Sequence, residues 1–345
     1  MPRVKPLLAP VWRQRRQLVV IFTCYLVCAA CSHTGQGSTQ ASQAPPTLLP
    51  GQQLWKDNIS SFLFGTNDTQ EWSANNIETS TPMQQALQSA HFTLMRTFFF
   101  DRSLVDHRAT TDSQIEQRLK TIERSGMTCL GVLVNIFNAP FDTHVVSYAG
   151  SRCDLYEFGN EPDYSGISVD TYLKQWNTLI PRLRKINPRA RFIGPVTGNM
   201  GFLYAFLQGV KASRVLPDAI SFHWYACWQR IAQVCLGQAG NVRQLARQIR
   251  ALIRETLGKE LPIGVSEWNA DGSNPPPAYG NDATFITTFT ALAIQAMALA
   301  GVAFACQFDA ASYAGYGRLD LFDVHNNSPR PQYYALKTLI QQYRT

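Results

Sequence analysis

The chain predicts an α/β fold, a single (β/α)8 TIM barrel, on three observations. Eight short apolar, strand-like runs alternate with amphipathic stretches from residue 56 onward, the order that a parallel sheet wrapped by helices requires. Their span is close to the roughly 250 residues typical of that barrel. The rival, a doubly wound open sheet, usually opens on a Gly-rich phosphate turn. Neither G-x-G-x-x-G nor G-x-x-x-x-G-K-[ST] occurs in the sequence.

The strand candidates are 61–65, 93–99, 129–135, 155–159, 191–195, 220–225, 263–267 and 302–308. Four helical stretches are clearest: 112–124, 169–186, 242–257 and 284–299. In the first, Ile115, Leu119 and Ile122 share one face at spacings of four and three; in the third, Leu245, Ile249 and Ile253 stack in the same way. The stretch 270–281 (ADGSNPPPAYGN) is too rich in Pro and Gly for a helix and is expected to form a rim or partial lid.

The chain has 345 residues, 45% of them hydrophobic and 16% charged, too apolar for a disordered protein and long enough for a large core. Lys and Arg total 31 against 24 Asp and Glu, but five of the basic residues lie in the first 31 positions, which hold no acid. The remainder is nearly neutral, so no nucleic-acid partner is expected.

Residues 1–31 read as an address. Basic residues run to Arg16, and the 13 residues Leu18 to Ala30 (LVVIFTCYLVCAA) are apolar. That is shorter than the roughly 20 of a membrane span and suits a signal-peptide core. The run ends in Ala29-Ala30-Cys31, similar to a bacterial lipoprotein cleavage site with Cys31 lipidated, although Cys28 stands where Leu is usual. Secretion with cleavage nearby, or an uncleaved anchor, are the alternatives. All three place the protein outside the cytoplasm, secreted or anchored at the cell surface. Residues 32–55, rich in Ser, Gln, Gly and Pro, read as a flexible tether, and 56–345 as the barrel.

Cys227 and Cys235 share one loop-like stretch and are expected to form a disulfide. Cys129 and Cys153 each open an apolar run and pair if those strands are neighbours; Cys306 is left over in a buried strand. No pair has C-x-x-C spacing, so no structural metal is expected.

In such a barrel, functional groups gather at the C-terminal ends of the strands. Those ends carry Arg96 in the second run, Asn160-Glu161-Pro162 after the fourth, His223 and Tyr225 in the sixth, and Glu267 closing the seventh. A solitary strand-end Glu is more often a solvated or ion-paired side chain. Two aimed at one mouth are what glycoside hydrolysis uses, one to protonate the departing oxygen and one to attack the anomeric carbon.

On these residues the sequence resembles the clan GH-A glycoside hydrolases. LYEFGNEPD is similar to the clan's fourth-strand Asn-Glu signature, which implies that Glu161 is the general acid/base. PIGVSEWNA is similar to its seventh-strand signature, which implies that Glu267 is the nucleophile. LMRTFFF fits the second-strand Arg, and ISFHWY the sixth-strand His and Tyr. The resemblance implies a retaining glycoside hydrolase that cleaves β-linked glycans by double displacement, with carboxyl groups about 5–5.5 Å apart. It also implies a Glu161 pKa raised enough to hold a proton at working pH. Arg96 would keep Glu267 charged, Asn160 would bond the sugar 2-hydroxyl, Tyr225 would hold the nucleophile in line, and His223 would join that network. Strand alternation puts residues 223 and 225 on one face and Trp224 on the other.

Where the clan often has Trp on the eighth strand, this chain has Gln307, Phe308 and Asp309. Where some members have His after the third, it has Asn135 and Phe137. The family, the sugar and the linkage stay open. Flat rings stack on the apolar faces of sugars, and Trp228 and Trp268 are the first candidates for substrate-binding walls, ahead of Trp224, Tyr279, Tyr313 and Tyr316. The expected partner is an oligo- or polysaccharide, with no cofactor or metal, membrane contact only through the N-terminal lipid anchor, and a monomeric state. Two further readings use the same barrel. One is a non-catalytic carbohydrate-binding surface lipoprotein. The other is a metal-dependent hydrolase with His223, Glu161 and Glu267 as ligands, which lacks a second well-placed His.

Overall fold

A computed structural model describes residues 48–68, 76–103, 106–228, 231–273, 278–311 and 319–344, all within the compact unit Pro46–Thr345. The address at 1–31 with Cys31, most of the tether, and Tyr313 and Tyr316 lie outside the described residues. The strands are β1 (Gly65–Asp68), β2 (Leu94–Phe99), β3 (Thr128–Leu133), β4 (Leu155–Phe158), β5 (Arg191–Ile193), β6 (Ile220–Cys227), β7 (Ile263–Asp271) and β8 (Phe304–Gln307). The helices are α1 (Thr81–Ala90), α2 (Asp112–Arg124), α3 (Ala139–Ala149), α4 (Val169–Ile186), α5 (Met200–Ser213), α6 (Ala232–Gly237), α7 (Asn241–Leu257), α8 (Ala283–Leu299) and α9 (Pro331–Arg344).

All strand pairs are parallel, in the order β5-β4-β3-β2-β1-β8-β7-β6. Chain neighbours are therefore sheet neighbours, and β1 lies beside β8. The sheet curls until its edges approach: one parallel bridge, Ile193↔Ala219, and the Asp218 N–H bond to the Phe192 carbonyl (2.9 Å) join β5 to the start of β6.

Local chemistry explains the elements. Thr111 and Gln114 form a reciprocal capping box at the start of α2, and the Ser168 hydroxyl accepts from the Thr171 N–H at the start of α4. Both satisfy amides that a helix start leaves unpaired. The first strand differs from expectation. Ser61–Leu63 form a 3-10 turn and β1 begins at Gly65, because the Ser60 hydroxyl accepts from the Phe62 N–H and donates to the Ala303 carbonyl. The expected rim at 270–281 also begins differently, since β7 continues to Asp271 with Ala270 buried.

Two apolar layers hold the sheet. Inside, Leu49, Phe62, Leu94, Leu130, Leu155 and Ile193 belong to a plug at the N-terminal end of the strands. Leu49 is 5% exposed, so the packed domain starts before residue 56 and the last expected tether residues form part of its floor. Gly264 admits no side chain, because the Phe304 ring lies 2.0 Å from where its Cβ would stand. Outside, Phe158 of β4 packs on Tyr172 and Trp176 of α4; burying each such ring is worth roughly 1.5–3 kcal/mol.

Disulfides join Cys129 to Cys153 at the neighbouring strands β3 and β4, and Cys227 to Cys235, with Cα–Cα distances of 5.0 and 5.2 Å. Cys306 is free and buried, and burial pushes its thiol pKa up. No described helix is long and apolar enough to cross a membrane.

Strand alternation then separates core from site. On β2 and β4, Arg96 stands one pleat above Leu94 of the plug and Glu157 one above Leu155, so the polar layer rests on the apolar floor.

Candidate active site

Arg96 is the centre of this layer. It is fully buried, with its guanidinium carbon 4.7 Å from the Phe98 ring centroid. Its Nε donates to Glu157 Oε2 (2.6 Å), Nη1 to Glu267 Oε1 (2.7 Å) and Asn67 Oδ1 (2.9 Å), and Nη2 to Asn160 Oδ1 (2.6 Å). Burial opposes the Arg96 charge, but Glu157 and Glu267 outweigh it and raise the pKa. Asn67 is placed beside Arg96 by the β1–β2 register. Its amide nitrogen is spent on the Ser266, Cys306 and Gln307 carbonyls. Asn67 and Glu157 are both fully buried and were not among the expected site residues. Glu157 had a signal in the sequence: it lies four residues before Glu161 with Leu155 inward, so it faces the same interior.

Glu267 reaches that interior through a bulge. On β7, Ile263 and Val265 pack outward in the sheet–helix layer, as do Trp268 and Ala270. The register shifts between Phe222 and His223, so that Phe222 pairs with Val265 but His223 pairs with Glu267. The extra residue, Ser266, reverses the inside–outside phase. Without it Glu267 would share the outward face of Val265. The Tyr225 hydroxyl donates to Glu267 Oε2 at 3.0 Å.

Glu161 lies on the turn after β4 with φ +44°, in the left-handed region that costs a non-Gly residue energy. Its N–H bonds to the Val196 carbonyl (3.1 Å), which ties the turn to the loop after β5. The His223 Nδ1–H donates to Glu161 Oε1 at 2.8 Å, and Nδ1 also lies 3.5 Å from Glu267 Oε2. Here the expectation of a raised Glu161 pKa is overturned. Burial pushes it up, but the hydrogen bond and charge of His223, with Arg96 behind, outweigh burial and hold it below its ordinary value. His223 moves the other way: burial lowers its pKa, and the charges of Glu267 and Glu161 overcome that and raise it. In the free protein the proton of the pair rests on the imidazole.

Glu161, His223 and Glu267 each place one ligand atom within 4.8 Å of the others. That spacing would admit a cation, but Arg96 already supplies a positive charge 2.7 Å from Glu267, which opposes a second one at the same carboxylate.

The aromatic candidates divide. Trp228 is 64% exposed and its ring lies 5.6 Å from Tyr225, over Gly272, where a Cβ would come within 2.2 Å of the indole. Trp268 is fully buried and packs against Phe289 of α8. It is not a wall of the cleft, because alternation turns it outward when Glu267 faces in. Trp224 stacks on the same Phe289. Tyr279 bonds Asp271 and packs on Phe285 rather than lining the mouth. Phe308, from the strand expected to carry Trp in the clan, meets Tyr225 edge-on at 6.4 Å.

No family model matches the chain, and no curated protein sequence does. Solved structures do. An α-L-arabinofuranosidase from Thermotoga maritima superposes with TM-score 0.64 at 12% identity, covering 85% of this chain and 72% of that one. A monomeric β-xylosidase from Caulobacter crescentus gives 0.63 at 13%, covering 84% and 70%. A glucosidase from Croceicoccus marinus gives 0.60 at 16%, covering 81% and 66%, so the chain spans just under two thirds of that protein's length. The structural neighbours include glycoside hydrolases of families 39 and 51, in the clan that the sequence resembles. At these identities the likeness is one of fold.

Proposed function

We propose that the protein is a retaining glycoside hydrolase on a closed (β/α)8 barrel. The observation that carries the proposal is the spacing of Glu161 and Glu267: one oxygen of each lies within 4.8 Å of the other. This supports the roughly 5–5.5 Å separation of retaining enzymes over the roughly 6.5–9.5 Å that leaves room for a water in inverting ones.

Glu267 attacks the anomeric carbon as the glycosidic C–O bond breaks, and Glu161 delivers a proton to the departing oxygen. Glu161 then takes a proton from water, whose oxygen attacks the anomeric carbon and displaces Glu267 as a carboxylate, and the proton on Glu161 returns to His223. Arg96 and Tyr225 hold the two oxygens of Glu267, one each, and so aim it. His223 stores the proton that Glu161 delivers and passes it along the 2.8 Å hydrogen bond once substrate shields the pair from water. Asn160 spends its carbonyl on Arg96, leaving its amide to donate to the sugar 2-hydroxyl. Trp228 offers its ring to a sugar face. No cofactor takes part. The substrate class is β-D-glycosides or α-L-arabinofuranosides, of which the gluco-, xylo-, galacto-, glucurono- and arabino-configured members share a 1,2-trans anomeric bond, carried on an oligo- or polysaccharide. The protein acts as a monomer outside the cytoplasm, secreted or anchored through lipid on Cys31.

The test is a panel of aryl β-D-gluco-, xylo-, manno-, galacto- and glucuronosides and α-L-arabinofuranoside, with the first-formed anomer read by NMR. Cleavage with retention is expected. Binding of glycans without cleavage of any would favour the carbohydrate-binding reading, and an inverted first product would remove the double-displacement mechanism.

A further inference from the structure

The near-neutral total of the chain after residue 31 hides a segregation of charge. Residues 171–254 hold 13 of the 26 basic residues that follow position 31 and a single acid, Asp218; the other 23 acids lie elsewhere. The segment runs from α4 through β5, α5 and β6 to α7, and α5 packs against both α4 and α7. The excess therefore forms one continuous flank of the barrel. We propose that this flank docks on an anionic lipid surface through the phosphates of its headgroups. The inference stands apart from the glycosidase reading, and it adds a second membrane contact to the one expected at the N-terminal lipid anchor.

The cations of the flank are available to a partner. Arg184 pairs with Asp218 and Arg189 with Asp154, which neutralises the acids beside them. Lys174, Arg182, Lys185, Lys211, Arg214 and Arg247 are exposed and make no ion pair among the described residues. The turns after α4 and α5 are tied together, since Arg184 Nη2 donates to the Leu216 carbonyl (2.7 Å) and the Phe192 N–H donates to Asp218 Oδ2 (2.8 Å). Lys185, Arg189, Lys211 and Arg214 thus share one surface, at the end of the barrel where the strands begin. A helix dipole favours a cation in the last turn. It does not account for Lys174 and Arg247, in the first halves of α4 and α7, or for first turns of α5 and α7 that hold no acid.

Two observations select a lipid surface over a dissolved polyanion. Ile186 stands 38% exposed at the end of α4, between Lys185 and Arg189. An apolar side chain flanked by cations suits the boundary between headgroups and acyl chains, and a dissolved polyanion has no apolar layer to receive it. The second is where the chain enters the barrel. Leu49 lies in the plug at the N-terminal end of the strands, the same end that carries Lys185, Arg189, Lys211 and Arg214. Seventeen residues separate Leu49 from Cys31, a span of at most roughly 60 Å. With Cys31 lipidated, the flank is held within reach of the bilayer, while the strand ends that carry Glu161 and Glu267 open at the other end of the barrel.

The experiment partitions the full chain between buffer and sedimented vesicles, either phosphatidylcholine alone or an equal mixture with phosphatidylglycerol. The ratio of the two partition coefficients (mixed over neutral) cancels the apolar N-terminal run, which enters both. A cation beside such a surface is worth roughly fivefold in partitioning. The triple variant Lys185→Gln/Lys211→Gln/Arg214→Gln, in exposed side chains, should therefore lower the ratio about a hundredfold, and raising the salt should lower it for wild type. Arg102→Gln/Arg108→Gln/Lys120→Gln removes as much charge outside the flank and should leave the ratio near wild type. A flank variant that keeps the wild-type ratio, or an outside variant that loses as much, overturns the docking face. Retention on immobilised polygalacturonate that the flank variant loses, with its vesicle ratio unchanged, would assign the flank to an acidic polysaccharide and also overturn the proposal.

Discussion

His223 Nδ1 stands 2.8 Å from Glu161 Oε1 and 3.5 Å from Glu267 Oε2. One buried imidazole therefore touches both carboxylates assigned to the proposed reaction, and it holds Glu161 in its charged form. On that proposal the site is primed for proton transfer by a pair of groups rather than by one perturbed carboxyl.

His223→Gln tests that arrangement through the pH profile. In wild type the proton that Glu161 delivers is lost only as pH rises through the raised folded pKa of His223; without the imidazole Glu161 must hold that proton alone, so the alkaline limb of kcat/KM should move to lower pH. A profile that stays in place would show that the imidazole does not govern the acid.

The same pair shapes stability. The folded pKa of Glu161 lies below its ordinary 4.5, so its contribution is present above that value and is lost as pH falls through the folded one. The folded pKa of His223 lies above its ordinary 6.5, so its contribution is complete below that value and is lost as pH rises through the folded one. The wild-type excess in unfolding free energy over His223→Gln should therefore be greatest between pH 4.5 and 6.5. Urea unfolding across pH measures it; an excess that grows above pH 7 contradicts the assignment.

Glu161→Ala should lower kcat/KM by about 10²–10⁴-fold, the usual worth of a general acid. Azide should rescue it to a glycosyl azide of retained configuration. Glu267→Ala with azide should give the opposite anomer, since the small anion then takes the place of the missing nucleophile. Identical anomers from the two variants would refute the division of roles.

Glu157→Gln breaks a fully buried pair with Arg96. Removing one partner of such a pair costs about 3–5 kcal/mol, so the urea midpoint should fall well below that of wild type. A variant as stable as wild type would mean that Arg96 is held by its other partners alone.

Trp228→Ala and Trp268→Ala should separate cleanly. Losing an exposed stacking ring is worth about 0.5–1.5 kcal/mol, which raises KM several-fold with stability unchanged. Losing the buried indole costs about 3–5 kcal/mol of stability with little effect on KM in the fraction that stays folded. KM and thermal unfolding of both variants decide.

Much of this was legible in residue order. The ends of α2 and α4 were readable because their apolar spacing and caps are local, and Asn160, Glu161, His223 and Tyr225 because each sits at a strand end in a marked setting. Helices α3 and α5 were harder. Each buries one face, but Asp142 is buried on α3 while Tyr204 of α5 stands 52% exposed, so the apolar periodicity of the sequence weakens. Trp268 differs from expectation because, with Glu267 facing the mouth, strand alternation turns the next residue to the opposite face, where it packs on Phe289 of α8.

By itself the sequence determined the class of fold, the chemistry available and which strand ends carry it, because these follow from local pattern and composition. Tertiary structure alone decided that Glu267 points inward, since the bulge at Ser266 exists only through the pairing of β7 with its neighbours. It alone decided that Arg96 divides its donors among Asn67, Glu157, Asn160 and Glu267, residues up to 171 positions apart. And it alone decided where the Glu161 proton rests, because a pKa is set by burial and by charges that only folding brings within reach.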